Sequence, residues 1–183
     1  YMDLAALKII DAKDVLIQNN FFENSFFGIY CQQTTRTTIY KNKLYSNAKD
    51  EINSANGIHC WKSDQLMILQ NTISGHRDGI YFEFVTNSKI EKNNSCNNVR
   101  YGLHFMFSNY NKYIANIFRD NGAGVAVMFS NHITMHRNIF SENWGNAAYG
   151  ILMKEISDGE VEGNSFSKNT VGIYLEGSNR IMM

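Results

Sequence analysis

The 183-residue sequence contains no proline. A fold in which nearly every backbone N–H donates to a neighbouring strand has no use for a residue that lacks one, so this absence favours extensive sheet. Three cysteines are an odd count, which removes a disulfide framework as the organising device. Neither sign of charge is in excess, with 17 basic residues against 17 acidic ones. Net charge therefore drives no attraction to nucleic acid or to an anionic membrane surface. No apolar run approaches the length of a membrane span, and no basic-then-apolar leader opens the sequence. What is plentiful is apolar residues, 44% of the whole, enough for one continuous core in a single domain over 1–183.

That apolar content is periodic. Coil starts fall at Gly28, Gly57, Gly79, Gly102, Gly124, Gly150 and Gly172, with Ala5 as a degenerate first. Fourteen residues after the start of every complete coil stands an asparagine: Asn19, Asn42, Asn71, Asn93, Asn116, Asn138 and Asn164. Five residues further on comes a second column, Asn24, Asn47, His76, Asn98, Asn121, Asn143 and Asn169, broken only by the histidine. Apolar residues recur one and three positions after each glycine, for example Ile80 with Phe82 and Leu103 with Phe105. Two further inward rows flank the first asparagine, one three residues before it (Leu16, Ile39, Ile68, Ile90, Tyr113, Met135, Val161) and one two after it (Phe21, Leu44, Ile73, Ser95, Phe118, Phe140, Phe166). Three short alternating strands per repeat of about 22 residues describe a parallel β-helix of about eight coils. The handedness bias of parallel crossovers predicts right-handed, single-stranded winding of the pectate-lyase type.

A unit of this kind cannot bury its apolar face alone and must stack on its copies, about 4.8 Å apart. Stacked asparagines are then expected to hydrogen-bond up a column while closing a tight turn. Length variation is confined to the stretch before each glycine, so two loops, 48–56 and 144–149, should project from one corner. Residues 1–6 show no clear cap and the eighth coil stops before its asparagine, which reads as a fragment of a longer chain.

Side chains two and four residues after each glycine should face outward on one wall: His59 and Trp61, Tyr81 and Glu83, His104 and Met106, Ala126 and Met128. Met106 and Met128 would lie on adjacent coils with His104 two residues along the strand, and soft thioethers with an imidazole are the donor set that selects Cu(I). An outward methionine row is read first as a partner interface, with direct metal contact through His104, Met106 and Met128 as the sharper reading. His76, Arg77, Asp78 and Arg100 form a corner charge cluster, either structural or a recognition point for an acidic loop. In HITMH, Met135 points inward and His132 and His136 lie near the surface, so no shared metal site between the two histidines is expected. Cys31 and Cys60 face each other inward on adjacent coils, within disulfide reach yet expected reduced, and Cys96 stands alone.

Acidic residues are sparse on the outward positions and lack the paired spacing that glycan hydrolysis needs, so catalysis is not expected. The segments GHRDGIYFEF (75–84), NVRYGLHFMFSN (98–109), NGAGVAVMFSN (121–131), AAYGILMKEISD (147–158) and NSFSKNTVGIYLEGSNR (164–180) together resemble the NosD family. The resemblance implies a periplasmic, non-catalytic β-helix protein of the machinery that matures nitrous oxide reductase. It would dock on an ABC transporter's membrane and ATPase subunits, work with a copper-chaperone lipoprotein, and help supply copper or sulfur to the reductase. A copper ion is the candidate cofactor; no nucleic-acid partner and no transmembrane segment are implied. The alternative is a carbohydrate-binding or carbohydrate-active β-helix, with Tyr30, Trp61, Tyr81 and Tyr174 as rings for sugar stacking.

Overall fold

The computed structural model describes residues 4–145 and 148–183. Residues 1–3 of the expected uncapped start, and residues 146 and 147 of the second projecting loop, lie outside them. The described residues hold 21 strands in parallel register and no helix, so no helix is long and apolar enough to cross a membrane. Each complete coil contributes one stretch of strand to each of three walls.

The first wall runs through Ala5–Ile10, Phe27–Gln32, Ile58–Trp61, Asp78–Glu83 and Tyr101–Met106. It continues through the opening halves of Ala123–His136 and Tyr149–Glu162, and ends at Val171–Glu176. The second wall runs from Leu16–Gln18 through Lys89–Glu91 and Lys112–Ile114 to Asn179–Met182. Because Ala123–His136 and Tyr149–Glu162 bend round the corner unbroken, these two walls count as one fourteen-stranded sheet. The third wall is a separate seven-stranded sheet, from Phe21–Glu23 to Ser165–Ser167.

Identical sequence positions stack as anticipated. Ile29, Ile58, Ile80, Leu103, Val125 and Ile151 form one fully buried row, and Leu44, Ile73, Phe118 and Phe140 another. Phe118, Phe140 and Phe166 stack with ring centroids 5.5 and 4.9 Å apart. The first asparagine column closes one corner. Asn116 Oδ1 accepts from the backbone N–H and the side-chain amide of Asn93, both at 3.0 Å, while Asn116 Nδ2 donates to the Ile90 carbonyl at 2.9 Å. The same bonds repeat from Asn42 through Asn71 and Asn138 to Asn164.

The glycine column has a steric cause. A Cβ on Gly57, Gly79 or Gly102 would sit 2.7 to 2.8 Å from the carbonyl oxygen of the next coil's glycine, closer than real Cβ atoms approach backbone. A third polar column was not read from the sequence: Val85 and Ser108 donate backbone N–H groups to the Ser108 and Ser130 hydroxyls at 3.1 and 3.0 Å.

Three expectations are corrected. In the first coil, which lacks a glycine to set its phase, the asparagine in register is Asn20, which donates to Asn42 Oδ1. The inward residues there are Ile17 and Phe22, leaving Leu16 and Phe21 about 60% exposed and Asn19 at a left-handed corner. Asn24 also turns a left-handed corner and Asn47 is exposed, so the second column runs from Asn98 through Asn121 and Asn143 to Asn169. His76 heads that column from inside, donating its backbone N–H to Asn98 Oδ1 at 3.1 Å, and so does not belong to the outward charge cluster.

Candidate functional site

The outward face of the first wall is built from two rows. One was expected, two residues after each glycine. The other, immediately before the glycine, was missed because the glycine points inward together with its successor, which breaks strict alternation and turns the preceding residue out. Phe27, Asn56, Asp78, Tyr101 and Ala123 therefore flank Tyr30, His59, Tyr81, His104 and Ala126 on one surface.

Those side chains close on one another. Tyr30 stacks on His59 and His59 on Tyr81, each at 4.8 Å, and His104 meets the Tyr81 ring edge-on at 5.1 Å. Loop 48–56 folds over the lower end, where Ala55 packs with Phe27 and Tyr30. Tyr30, expected as an exposed sugar platform, is only 1% exposed, and Ala126 and His104 are buried as well. His59 Nδ1 accepts a 2.9 Å hydrogen bond from Asn56 Nδ2. Burial, with the nearby Arg77 charge, lowers its pKa to about 4, so the imidazole is neutral at pH 7.

Asp78 anchors the upper end. Its carboxylate is inaccessible, yet Arg100 donates to both oxygens at 2.9 and 2.7 Å, and His104 Nδ1 lies 3.7 Å away. Burial alone would raise its pKa; the adjacent His104 imidazole and the hydrogen-bonded Arg100 guanidinium outweigh it, and the carboxyl titrates below its ordinary value. Arg77, expected in the same corner cluster, donates to Asn56 Oδ1 at 3.2 Å. Arg100 reaches Glu51 at 3.7 Å and lies over the Tyr101 ring at 5.0 Å. The two insertions do share a corner: Glu51 from one and Trp144 and Gly145 from the other line a hollow of about 470 Å³ together with Arg100 and Tyr101.

Further along the same strands the surface changes character. Met106 and Met128 are register partners on adjacent coils, both half-buried, with Glu83 below and Lys154 above. His104 stands two residues back with its ring engaged by Tyr81, Tyr101 and Asp78 rather than free beside the methionines. The residue after each methionine turns the corner in the left-handed region: Phe107 at φ 49° and Phe129 at 51°, with Phe84 below at 55°. Their rings stack at 5.2 and 5.3 Å and each is more than 40% exposed. A bulky residue gains nothing from that conformation, and sequence alone had not singled out this column. Charge rims the patch: Lys62, whose ammonium lies over Trp61 at 4.4 Å, Glu83, and the Lys154–Glu176 pair at 3.0 Å. Cys31 and Cys60 pair in register inside the coil, both free and fully buried, and burial pushes the Cys60 thiol well above its ordinary range.

Fold and surface together define a parallel β-helix with a methionine- and phenylalanine-lined edge. The pattern of the family described as "Periplasmic copper-binding protein (NosD)" matches residues 46–183, and the chain belongs to that family. No curated protein matches. Among solved structures, the lid-less DFA-IIIase from Arthrobacter chlorophenolicus A6 superposes with a TM-score of 0.80 at 17% identity, over 97% of this chain and 49% of that one. The periplasmic alginate epimerase AlgG (D317A mutant) gives 0.68 at 14% identity, over 98% and 48%. The mannuronan C-5 epimerase AlgE4 A-module from Azotobacter vinelandii gives 0.67 at 13% identity, over 93% and 56%. At these identities the likeness is one of fold, and the chain spans about half the length of the structures it matches.

Proposed function

We propose that this chain is a non-catalytic periplasmic accessory protein that handles Cu(I) as cargo at the edge formed by Met106 and Met128. The observation that carries this is the pairing of the two methionines on adjacent strands beside an exposed column of three stacked phenylalanines. Two thioethers are soft donors suited to Cu(I), and a two-donor site leaves coordination positions that an incoming or departing ligand can take. Rigid strands fix the methionine backbones while their flexible side chains adapt to the ion. Phe84, Phe107 and Phe129 supply the apolar centre of a partner contact, and the surrounding charges supply its rim. The partners in this reading are a copper-chaperone lipoprotein that delivers, nitrous oxide reductase that receives, and an ABC transporter on which the protein docks.

The carbohydrate reading rests on the shared fold. Ring faces are what a sugar stacks on, and here the faces of Tyr30 and Tyr81 are taken by His59, while the phenylalanine column presents ring edges.

The test is anaerobic competition for Cu(I) against a chromophoric chelator, with wild type and the Met106→Ala, Met128→Ala double variant. Wild type is expected to withdraw copper from the chelator and the double variant to lose that capacity while keeping the same thermal midpoint. Equal withdrawal by both proteins would remove the methionine site, and saturable glycan binding would favour the carbohydrate reading.

A further inference from the structure

On the opposite side of the corner, the second wall carries a cluster of different chemistry. His136 and Glu162 are register partners on adjacent coils, and Glu160 lies two residues before Glu162 on the same strand and face. One donor atom from each of the three lies within 4.8 Å of the others. We infer that His136, Glu160 and Glu162 form a binding site for a divalent transition-metal ion of the Zn2+ class, separate from the methionine edge.

Three observations support it. First, two carboxylates and one imidazole converge on one face, donor types that ligate a divalent cation. Second, His136 Nε2 sits 3.0 Å from Glu160 Oε1, yet that oxygen is outside hydrogen-bonding geometry. The nitrogen atom itself is closed to solvent and makes no hydrogen bond among the described residues, although the His136 side chain is 26% exposed. Third, a hollow of about 240 Å³ lined by His136, Arg137, Glu162 and Gly163 opens beside the cluster. Three protein donors with an open side are the arrangement of a site that accepts a further ligand, and Arg137 lining that side favours an anionic one.

Donor type sets the ion. One nitrogen and two carboxylate oxygens suit Zn2+ and its divalent neighbours, whereas Cu(I) prefers thioether and thiolate. All three donors stand on two hydrogen-bonded strands, so their spacing is held by the sheet rather than by a loop. Sequence reasoning considered His136 only with His132. It missed the glutamates because they are adjacent through winding, one coil away, and not through spacing along the chain.

The test is calorimetric titration of ZnCl2 into the full chain after chelator treatment and desalting, repeated for His136→Asn, for Glu160→Gln with Glu162→Gln, and for Met106→Ala with Met128→Ala. Saturable binding of one Zn2+ per chain is expected, weakened roughly 100-fold or more by loss of the histidine or of both carboxylates. The methionine variant should bind Zn2+ as wild type does, so failure here leaves the copper reading standing and the reverse holds too. Cobalt substitution adds a second readout, since a visible band that vanishes in His136→Asn reports ligation directly. No saturable Zn2+ binding by wild type, or undiminished binding by a folded His136→Asn protein, would overturn the inference.

Discussion

Asn116 shows how much one side chain does here. Its removal strands the buried Asn93 N–H, one amide hydrogen of Asn93 and the Ile90 carbonyl, and leaves Asn138 Oδ1 with the Asn116 backbone N–H alone. Each buried polar group left without a partner costs about 1 to 3 kcal/mol, so Asn116→Ala should destabilise by about 3 kcal/mol or more in urea unfolding. Leu16, one residue out of the true phase and exposed, should tolerate Ala within about 0.5 kcal/mol. His76 sets a pH dependence. It is 1% exposed, and burial lowers its pKa from 6.5 to about 4. Between those values the unfolded chain takes up a proton that the folded one refuses, so stability falls as pH drops from 6.5 toward 4 and is unaffected above that window. The loss from His76 alone approaches about 3 kcal/mol at the acid end, and His59 adds to it in the same direction. Asp78, whose carboxyl titrates low, adds a further loss only below its unfolded value near 3.8. Thermal midpoints from pH 7.5 to 4 should show this decline, and His76→Asn should flatten it; an unchanged slope would mean that the imidazole is protonated in the folded state.

At the scale of the strand and its corner, glycine and phenylalanine make opposite demands. Gly102 lies where two coils approach so closely that an added Cβ would meet the Gly124 carbonyl at 2.8 Å and Phe118 at 2.9 Å. Gly102→Ala must therefore push the coils apart, and a loss of several kcal/mol or failure to fold is expected on expression and calorimetry. Phe107, one turn further on, is exposed and holds a left-handed φ of 49° that Asn adopts more readily. Phe107→Asn should leave stability within about 0.5 kcal/mol while weakening partner capture, a split that an ordinary structural residue would not show. The same local geometry explains what the sequence could convey. Where a glycine marks the start, as from Gly28 to Gly172, counting residues placed the inward rows and the asparagine column correctly. Where Ala5 stands instead, the count slipped by one, and a one-residue slip exchanges inside for outside. The bend at each glycine also hid the row holding Asn56, Asp78 and Tyr101, since alternation alone would have turned those residues inward.

Stacking makes the whole molecule a one-dimensional array in which each coil is held by the coil below and the coil above. That architecture was legible because the repeat itself is the fold, whereas the sites were only half legible. Met106 and Met128 sit at equal phase in successive repeats and could be paired by counting, but His136, Glu160 and Glu162 combine unequal phases. Protection is expected to follow position along the array. Coils between Gly79 and Ser141 carry complete asparagine columns and fully buried Phe82, Phe105, Phe118 and Phe140. In the coil beginning at Val171 the register equivalent of Phe82 and Phe105, Leu175, is 39% exposed. In the first coil Phe22 is only partly buried. For this 183-residue stretch taken by itself, opening free energy should therefore be largest in the middle and fall toward both edges, because an edge coil loses one interface when it frays and a central coil must break two. Hydrogen exchange read by mass spectrometry should show slowest exchange for peptides spanning 79–141 and progressively faster exchange toward 5–25 and 165–182. Asn116→Ala should then speed exchange in its own coil and its two neighbours before it affects the rest. A flat profile, or loss of protection across all coils at once in that variant, would show that the solenoid opens as a single unit.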